Sequence, residues 1–206
     1  KSTEYYTARG ENRLPAEMTD ASNLTKGNAG FERGDPRRMN NLGSRRWHTD
    51  GSFKAVPVKY SFLSARAVAP QGGETQFADM RAAYDALPAY LKELVEDLKV
   101  EHSLLRSRTV VGFADASDVE RLALQSVHQR LVRRHPRTGR RSLYLSSHAS
   151  HVVDWPSPDG LELLYELTDQ AMQSMSDVTR YVAGVSMAQG EGHRDAPVIR
   201  GNASTA

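Results

Sequence analysis

The chain has 206 residues, 39% of them hydrophobic and 25% charged, with a formal net charge of +2 and no cysteine. Such a length suits a single domain, residues 1–206, with a sizeable core. The absent thiols exclude disulfides and thiolate metal sites, the small charge argues against nucleic acid or an anionic membrane as partner, and no apolar run approaches the roughly 18 residues of a membrane span. The opening Lys1-Ser-Thr-Glu-Tyr-Tyr lacks an initiator methionine and an apolar leader, which reads as a cytoplasmic chain and as a fragment.

Residues 1–40 are rich in Asn, Gly, Arg, Asp and Glu, and their weak periodicity predicts a loop-rich approach. Lys26, Arg33, Arg37 and Arg38 read as solvated loop charges, with service to a substrate carboxylate as the sharper alternative. Trp47-His48-Thr49-Asp50-Gly51-Ser52-Phe53 then carries chemistry. In a strand, positions i and i+2 share a face, so the His48 imidazole and Asp50 carboxylate converge on one metal ion. They would supply two ligands of a 2-His-1-carboxylate site for non-haem Fe(II). His-x-Asp alone also suits a solvated loop; the aromatic flanks Trp47 and Phe53 favour a shielded site. Lys59–Val68 reads as a buried strand, Pro70–Gly73 as a turn, and Thr75–Phe77 as a short strand returning the Thr75 hydroxyl toward the metal.

Helical spacing follows. Asp79 is placed to cap a helix containing Met80, Ala83, Tyr84 and Leu87, and Pro88 opens a second with Leu91, Leu94, Val95 and Leu98. Met80 and Tyr84 are expected in the core. Gly112, Asp115 and Ser117 break the next stretch, before a short helix near Val119–Leu124. Arg130–Pro136 and Ser142–Leu145 form a hairpin pattern around a Gly-bearing turn. Five residues from Arg133 to Arg141 are arginines; without interleaved aromatics they read as a solvated hairpin tip, not a nucleic-acid surface. His148 and His151 have no companion to complete a zinc motif. They read as structural or surface histidines, with a hydrogen-bonding role near a substrate cavity as the alternative. Pro156-Ser-Pro158 starts a helix whose apolar face is Leu161, Leu164, Tyr165, Leu167 and Thr168.

Several of these pieces resemble the taurine dioxygenase superfamily of Fe(II)/2-oxoglutarate enzymes, and most closely its 2,4-dichlorophenoxyacetate dioxygenase branch. They are Trp47-His-Thr-Asp50, Gly72-Gly-Glu-Thr75, Phe77-Ala-Asp-Met-Arg-Ala-Ala-Tyr-Asp-Ala-Leu-Pro88, Glu101-His-Ser-Leu104, Leu131–Pro136, Thr138–Leu145 and Ser147-His-Ala-Ser-His-Val152. The likeness runs over about residues 40–172. It implies an α+β, mainly β fold, a double-stranded β-helix (jelly roll) with helices packed on one side, here incomplete. It further implies Fe(II) as the metal, with 2-oxoglutarate and O2 as cosubstrates and succinate and CO2 as products. Thr75 would bond a carboxylate of 2-oxoglutarate. The substrate would be a small anion such as an aryloxyalkanoate, and a homo-oligomer is compatible.

Beyond Met172 the likeness is not recognised, and residues 173–206 are expected to be divergent and poorly ordered, with Val178–Val185 as a candidate strand. The family's distal histidine and 2-oxoglutarate arginine have no clear counterpart. His193 is a candidate third ligand without supporting flanks, and Arg194 and Arg200 are candidates for the arginine. Two readings therefore stand: an aryloxyalkanoate-type dioxygenase, or a catalytically inactive remnant of one.

Overall fold

The alternation in Lys99-Val-Glu-His102 predicts a strand with two unlike faces, and that strand, β2 (Lys99–His102), is the centre of a three-stranded sheet. A computed structural model describes residues 22–64, 75–112, 118–173 and 198–202 of the chain. β2 pairs antiparallel with β3 (Val127–Arg130) on one side and β6 (Ala149–Val152) on the other. Register sets the two faces. Val100 stands between Gln129 and Val152 on the buried side, whereas Glu101 stands between His128 and His151 on the outer side.

The helix α6 (Ser157–Gln173) covers this sheet against β6. Gly160 is what lets it come so close, since a Cβ there would lie 2.9 Å from the Val152 backbone nitrogen. Leu163, Leu164, Leu167 and Ala171 enter one core with Val95, Val100, Leu131, Leu143 and Val152. Leu163, not Tyr165, lies on the buried face: Tyr165 is 57% exposed. α2 (Met80–Ala86) begins as expected, with the Asp79 carboxylate accepting from the Arg81 and Ala82 amides, satisfying orphan donors of the first turn. Met80 and Tyr84 are core residues, and α3 (Ala89–Val95) follows Pro88 with Leu91 and Val95 buried and Leu94 exposed.

The expected hairpin is present as β4 (Val132–Arg134) and β5 (Arg141–Leu143), turning at Gly139 with φ 67°. Arg134, Arg137 and Arg140 are exposed, as a solvated tip requires, but the hairpin's arginines also find carboxylates. Arg134 and Arg141 both reach Glu96, at 2.7 and 2.9 Å, and Arg140 reaches Asp85 at 2.6 Å. They tie the hairpin to the α2–α3 region. The pattern of arginines held no sign of this because the carboxylates are 38 to 55 residues away.

Other expectations need correction. Residues 59–64 form no strand, and Phe62 is 79% exposed. Alternation supplies a strand's faces but not its partner, and none pairs with them among the described residues. The rest of that segment, the 70–73 turn and Val178–Val185 lie outside the described residues. Within the tail expected to be poorly ordered, β7 (Val198–Asn202) pairs antiparallel with β1 (Thr75–Asp79). α1 (Pro36–Leu42) closes the stretch read as loop and runs into a 3₁₀ turn at Gly43–Arg45. Arg37 there is bound by Asp35 at 2.7 Å and lies 4.3 Å from the Phe31 ring centre. α4 (Leu104–Val110), capped by the Ser103 hydroxyl, was not foreseen, while α5 (Asp118–Ala123) matches the expected short helix. Helix exceeds strand among the described residues, which are mixed α and β, with antiparallel sheets. No described helix is long and apolar enough to cross a membrane.

Candidate metal centre

The segment around His48 is fastened to the residues that follow β5. Ser147 N donates to the Trp47 carbonyl at 2.9 Å, Thr49 N to Ser146 Oγ at 3.2 Å, and Thr49 Oγ1 to the Leu145 carbonyl at 2.8 Å. Trp47 packs against the core. The strand expected at 48–50 is reduced to a single bridge at His48, after which Asp50 enters a turn. Gly51 makes that turn with φ 64°, a left-handed conformation that costs other residues strain.

The turn achieves the convergence that the strand spacing predicted. His48 Nε2 stands 3.2 Å from Asp50 Oδ1, and both side chains are partly exposed, at 16% and 32%. On the other side of the ring, Nδ1 is 2.8 Å from the Arg46 carbonyl. A carbonyl only accepts, so Nδ1 carries a proton, which leaves Nε2 as the nitrogen open to a metal beside the carboxylate. This second bond of the ring fixes tautomer and orientation as in metal-bound histidines. The donor set, one imidazole nitrogen and one carboxylate oxygen, suits Fe(II). Among the described residues no third His, Asp or Glu completes the group.

A buried wall adjoins the pair. His148 is buried, with its ring 4.9 Å from Phe53 and 6.2 Å from His48, both edge-on. Its Nδ1 is 2.9 Å from Ser107 Oγ, which itself donates to the Leu104 carbonyl; His148 Nδ1 is therefore the donor. Burial pushes the His148 pKa down to about 3, helped by neighbouring His48, His102 and Arg108. His102 is fully buried and its pKa falls to about 4, chiefly through burial and secondarily through Arg133. Tyr144, with its ring 5.6 Å from that of His102, is shifted up by burial; Arg133 opposes the shift and Asp50 adds to it. The wall is thus two neutral imidazoles and a protonated phenol near neutral pH. Both His102 nitrogens, the Tyr144 hydroxyl and Ser52 Oγ have no hydrogen-bond partner among the described residues. Groups buried this way cost free energy unless water or a ligand meets them.

His48 and Asp50 are brought together. Thr75 opens β1 opposite Asn202, and β7 packs on the 3₁₀ turn that leads into Trp47. Arg200 sits in β7 opposite Phe77; His193 and Arg194 lie outside the described residues. His148 faces the pair, whereas His151 is on the outer side of the sheet with Ser150 and Glu101. His102, Ser107, Arg108 and Tyr144 were given no role from sequence. A buried cap-and-strand segment such as His102-Ser103 was the one local hint.

Residues 5–187 match the family described as taurine catabolism dioxygenase TauD, TfdA family, a wider span than the 40–172 recognised from motifs. The chain is 42% identical over 158 residues to the alpha-ketoglutarate-dependent 2,4-dichlorophenoxyacetate dioxygenase of Cupriavidus pinatubonensis, covering 77% of this chain and 55% of that protein. It is 34% identical over 170 residues to the (S)-phenoxypropionate/alpha-ketoglutarate-dioxygenase of Sphingobium herbicidovorans, covering 80% and 54%. The chain therefore spans about half the length of these curated relatives. A crystal structure of AAD-2 with Mn(II) and N-oxalylglycine superposes with a TM-score of 0.81 at 39% identity, covering 91% of this chain and 68% of that one.

Proposed function

The chain belongs to the taurine catabolism dioxygenase TauD, TfdA family, and from that premise we propose that it is an Fe(II)- and 2-oxoglutarate-dependent dioxygenase acting on a small anionic molecule of the aryloxyalkanoate type. The fold would be the jelly roll of that family, of which the three described sheets are parts. The observation that carries the reading is the 3.2 Å approach of His48 Nε2 to Asp50 Oδ1, with Nδ1 tethered to a carbonyl.

His48 and Asp50 would hold the metal, and Thr75 would bond a carboxylate of the cosubstrate. When bound there, Fe(II) with 2-oxoglutarate and O2 supplies the oxidising power to hydroxylate a C–H bond, releasing succinate and CO2. The chain's own share is placement. Arg46 orients the His48 ring through its carbonyl. Phe53 and His148 close one side of the pair with an aromatic edge, which limits water. Arg108 lies near enough to His148 to depress its titration. The relatives named for dichlorophenoxyacetate and phenoxypropionate support that substrate class.

A second reading, an inactive remnant, is favoured by the missing third ligand among the described residues. One assay separates them: succinate release by the 206-residue chain with Fe(II), ascorbate and 2-oxoglutarate, with and without phenoxyacetate. Substrate-dependent succinate that vanishes in His48→Ala supports the dioxygenase, and its further loss in His193→Ala would make His193 the third ligand. Binding of metal and 2-oxoglutarate without succinate supports the remnant. Failure to bind metal at all removes the dioxygenase and leaves the remnant.

A further inference from the structure

A half-open groove of about 570 Å³ lies between the hairpin and β3. Its polar lining is Glu96, His128, Gln129, Arg130, Arg133 and Arg134. These groups are not equally neutralised. Arg134 is held by Glu96 at 2.7 Å, and Glu96 is also held by Arg141. Arg130 has only a 3.5 Å contact with Asp97, and both ends are largely exposed, so that pair contributes little.

Arg133 differs from both. It is half-buried, it lies 3.4 Å over the Tyr144 ring centre, and its Nη2 donates to Gln129 Oε1 at 2.7 Å. Among the described residues no carboxylate pairs with it. Burial even pulls its pKa down, against only a small opposing influence from Tyr144. A guanidinium stays charged at any ordinary pH, and a desolvated charge without a counter-ion is costly. The aromatic face and the amide oxygen hold the guanidinium flat and orient it, yet they leave its charge uncompensated. Glu96 does not serve, since it is already shared by two other arginines.

We propose that this groove is a binding site for a small oxyanion of the phosphate class, with Arg133 as its main partner and Arg130 and His128 at its rim. A planar guanidinium forks onto two oxygens of such an anion, and a dianion answers the two arginines, Arg133 and Arg130, that the protein's own carboxylates leave weakly matched. Through Tyr144 and Gln129 the groove borders the wall beside His48 and Asp50, but the proposal does not depend on the reading of that pair as an iron centre.

The test is calorimetric titration of inorganic phosphate into the full 206-residue chain, metal-free, with ionic strength held constant by chloride. Three variants accompany the wild type: Arg133→Met, Arg130→Ala and Arg137→Ala. The last removes the same charge from the hairpin turn, outside the groove, and circular dichroism confirms that each variant folds. Wild type is expected to bind one phosphate and gain thermal stability from it. Arg133→Met should weaken binding by about 10-fold or more, the worth of a charge-assisted hydrogen bond. Arg130→Ala should weaken it less, and Arg137→Ala should leave it unchanged. Absence of phosphate binding by wild type, equal losses in Arg133→Met and Arg137→Ala, or acetate binding as tightly as phosphate would each overturn the assignment.

Discussion

Two neighbouring regions of the molecule treat histidine in opposite ways. In the turn at 48–50, the ring is partly exposed, one nitrogen is committed to a carbonyl, and the other is left beside a carboxylate. In the wall behind it, His102 is fully buried with neither nitrogen hydrogen-bonded among the described residues, and His148 is buried with its Nδ1–H donated to Ser107. The first arrangement favours a cation between imidazole and carboxylate; in the second, burial disfavours the protonated ring. The difference teaches that a histidine's role is set by what its second nitrogen does and by how much water reaches the first.

The largest effect that would sharpen this contrast is acid lability. A histidine whose folded pKa lies near 4 takes up its proton at about 6.5 once unfolded. Between those values the unfolded state binds more protons, so stability falls as pH drops from about 6.5 to 4. For His102 the loss is about 3 kcal/mol, from ~1.4 kcal/mol per pKa unit, and His148 acts in the same direction over a wider window. Urea unfolding at pH 7 and pH 4.5 should show the loss, and His102→Gln should make it visibly smaller. An unchanged pH slope in that variant would mean His102 is solvated or already charged.

Thr75→Ala tests whether the β1–β7 ribbon belongs to the same site as the turn. Loss of one charge-assisted bond, about 1.5–3 kcal/mol, predicts 2-oxoglutarate binding roughly 10- to 150-fold weaker. Co(II) affinity should be unaltered. If 2-oxoglutarate binds as well as before, Thr75 is a strand residue and nothing more.

The smallest effect concerns the turn itself. Gly51→Ala would force a side chain into φ 64°, with its Cβ 2.6 Å from Val58 Cγ2. Val58 is 40% exposed and able to shift, so the backbone conformation dominates, at about 1–2 kcal/mol. Thermal denaturation should show a modest drop, and metal affinity should fall with it because Asp50 is displaced. Loss of stability with full metal affinity would show that Asp50 does not need this turn.

The same contrast explains what could be read in advance. Asp79 capping α2, Pro88 before α3, and the hairpin around Gly139 all follow from signals within a few residues. His48 and Asp50 were legible as a pair although their local structure was not: a glycine turn brings i and i+2 together as well as a strand does. His102, Ser107, Tyr144 and His148 meet only through the pairing of β2 with β6 and the seating of α4. No spacing along the chain encodes that. The exposed Tyr60 and Phe62 show the same gap from the other side, since alternation cannot say whether a partner strand will be there.

The central claim is that His48 and Asp50 hold the metal while the buried histidines do not. Anaerobic titration of Co(II) into wild type, His48→Ala, Asp50→Ala, His102→Gln and His148→Ala tests it most directly. The account predicts that binding collapses in the first two variants and persists in the last two. Equal affinity in all five proteins, or a collapse in His148→Ala with His48→Ala unaffected, would contradict it.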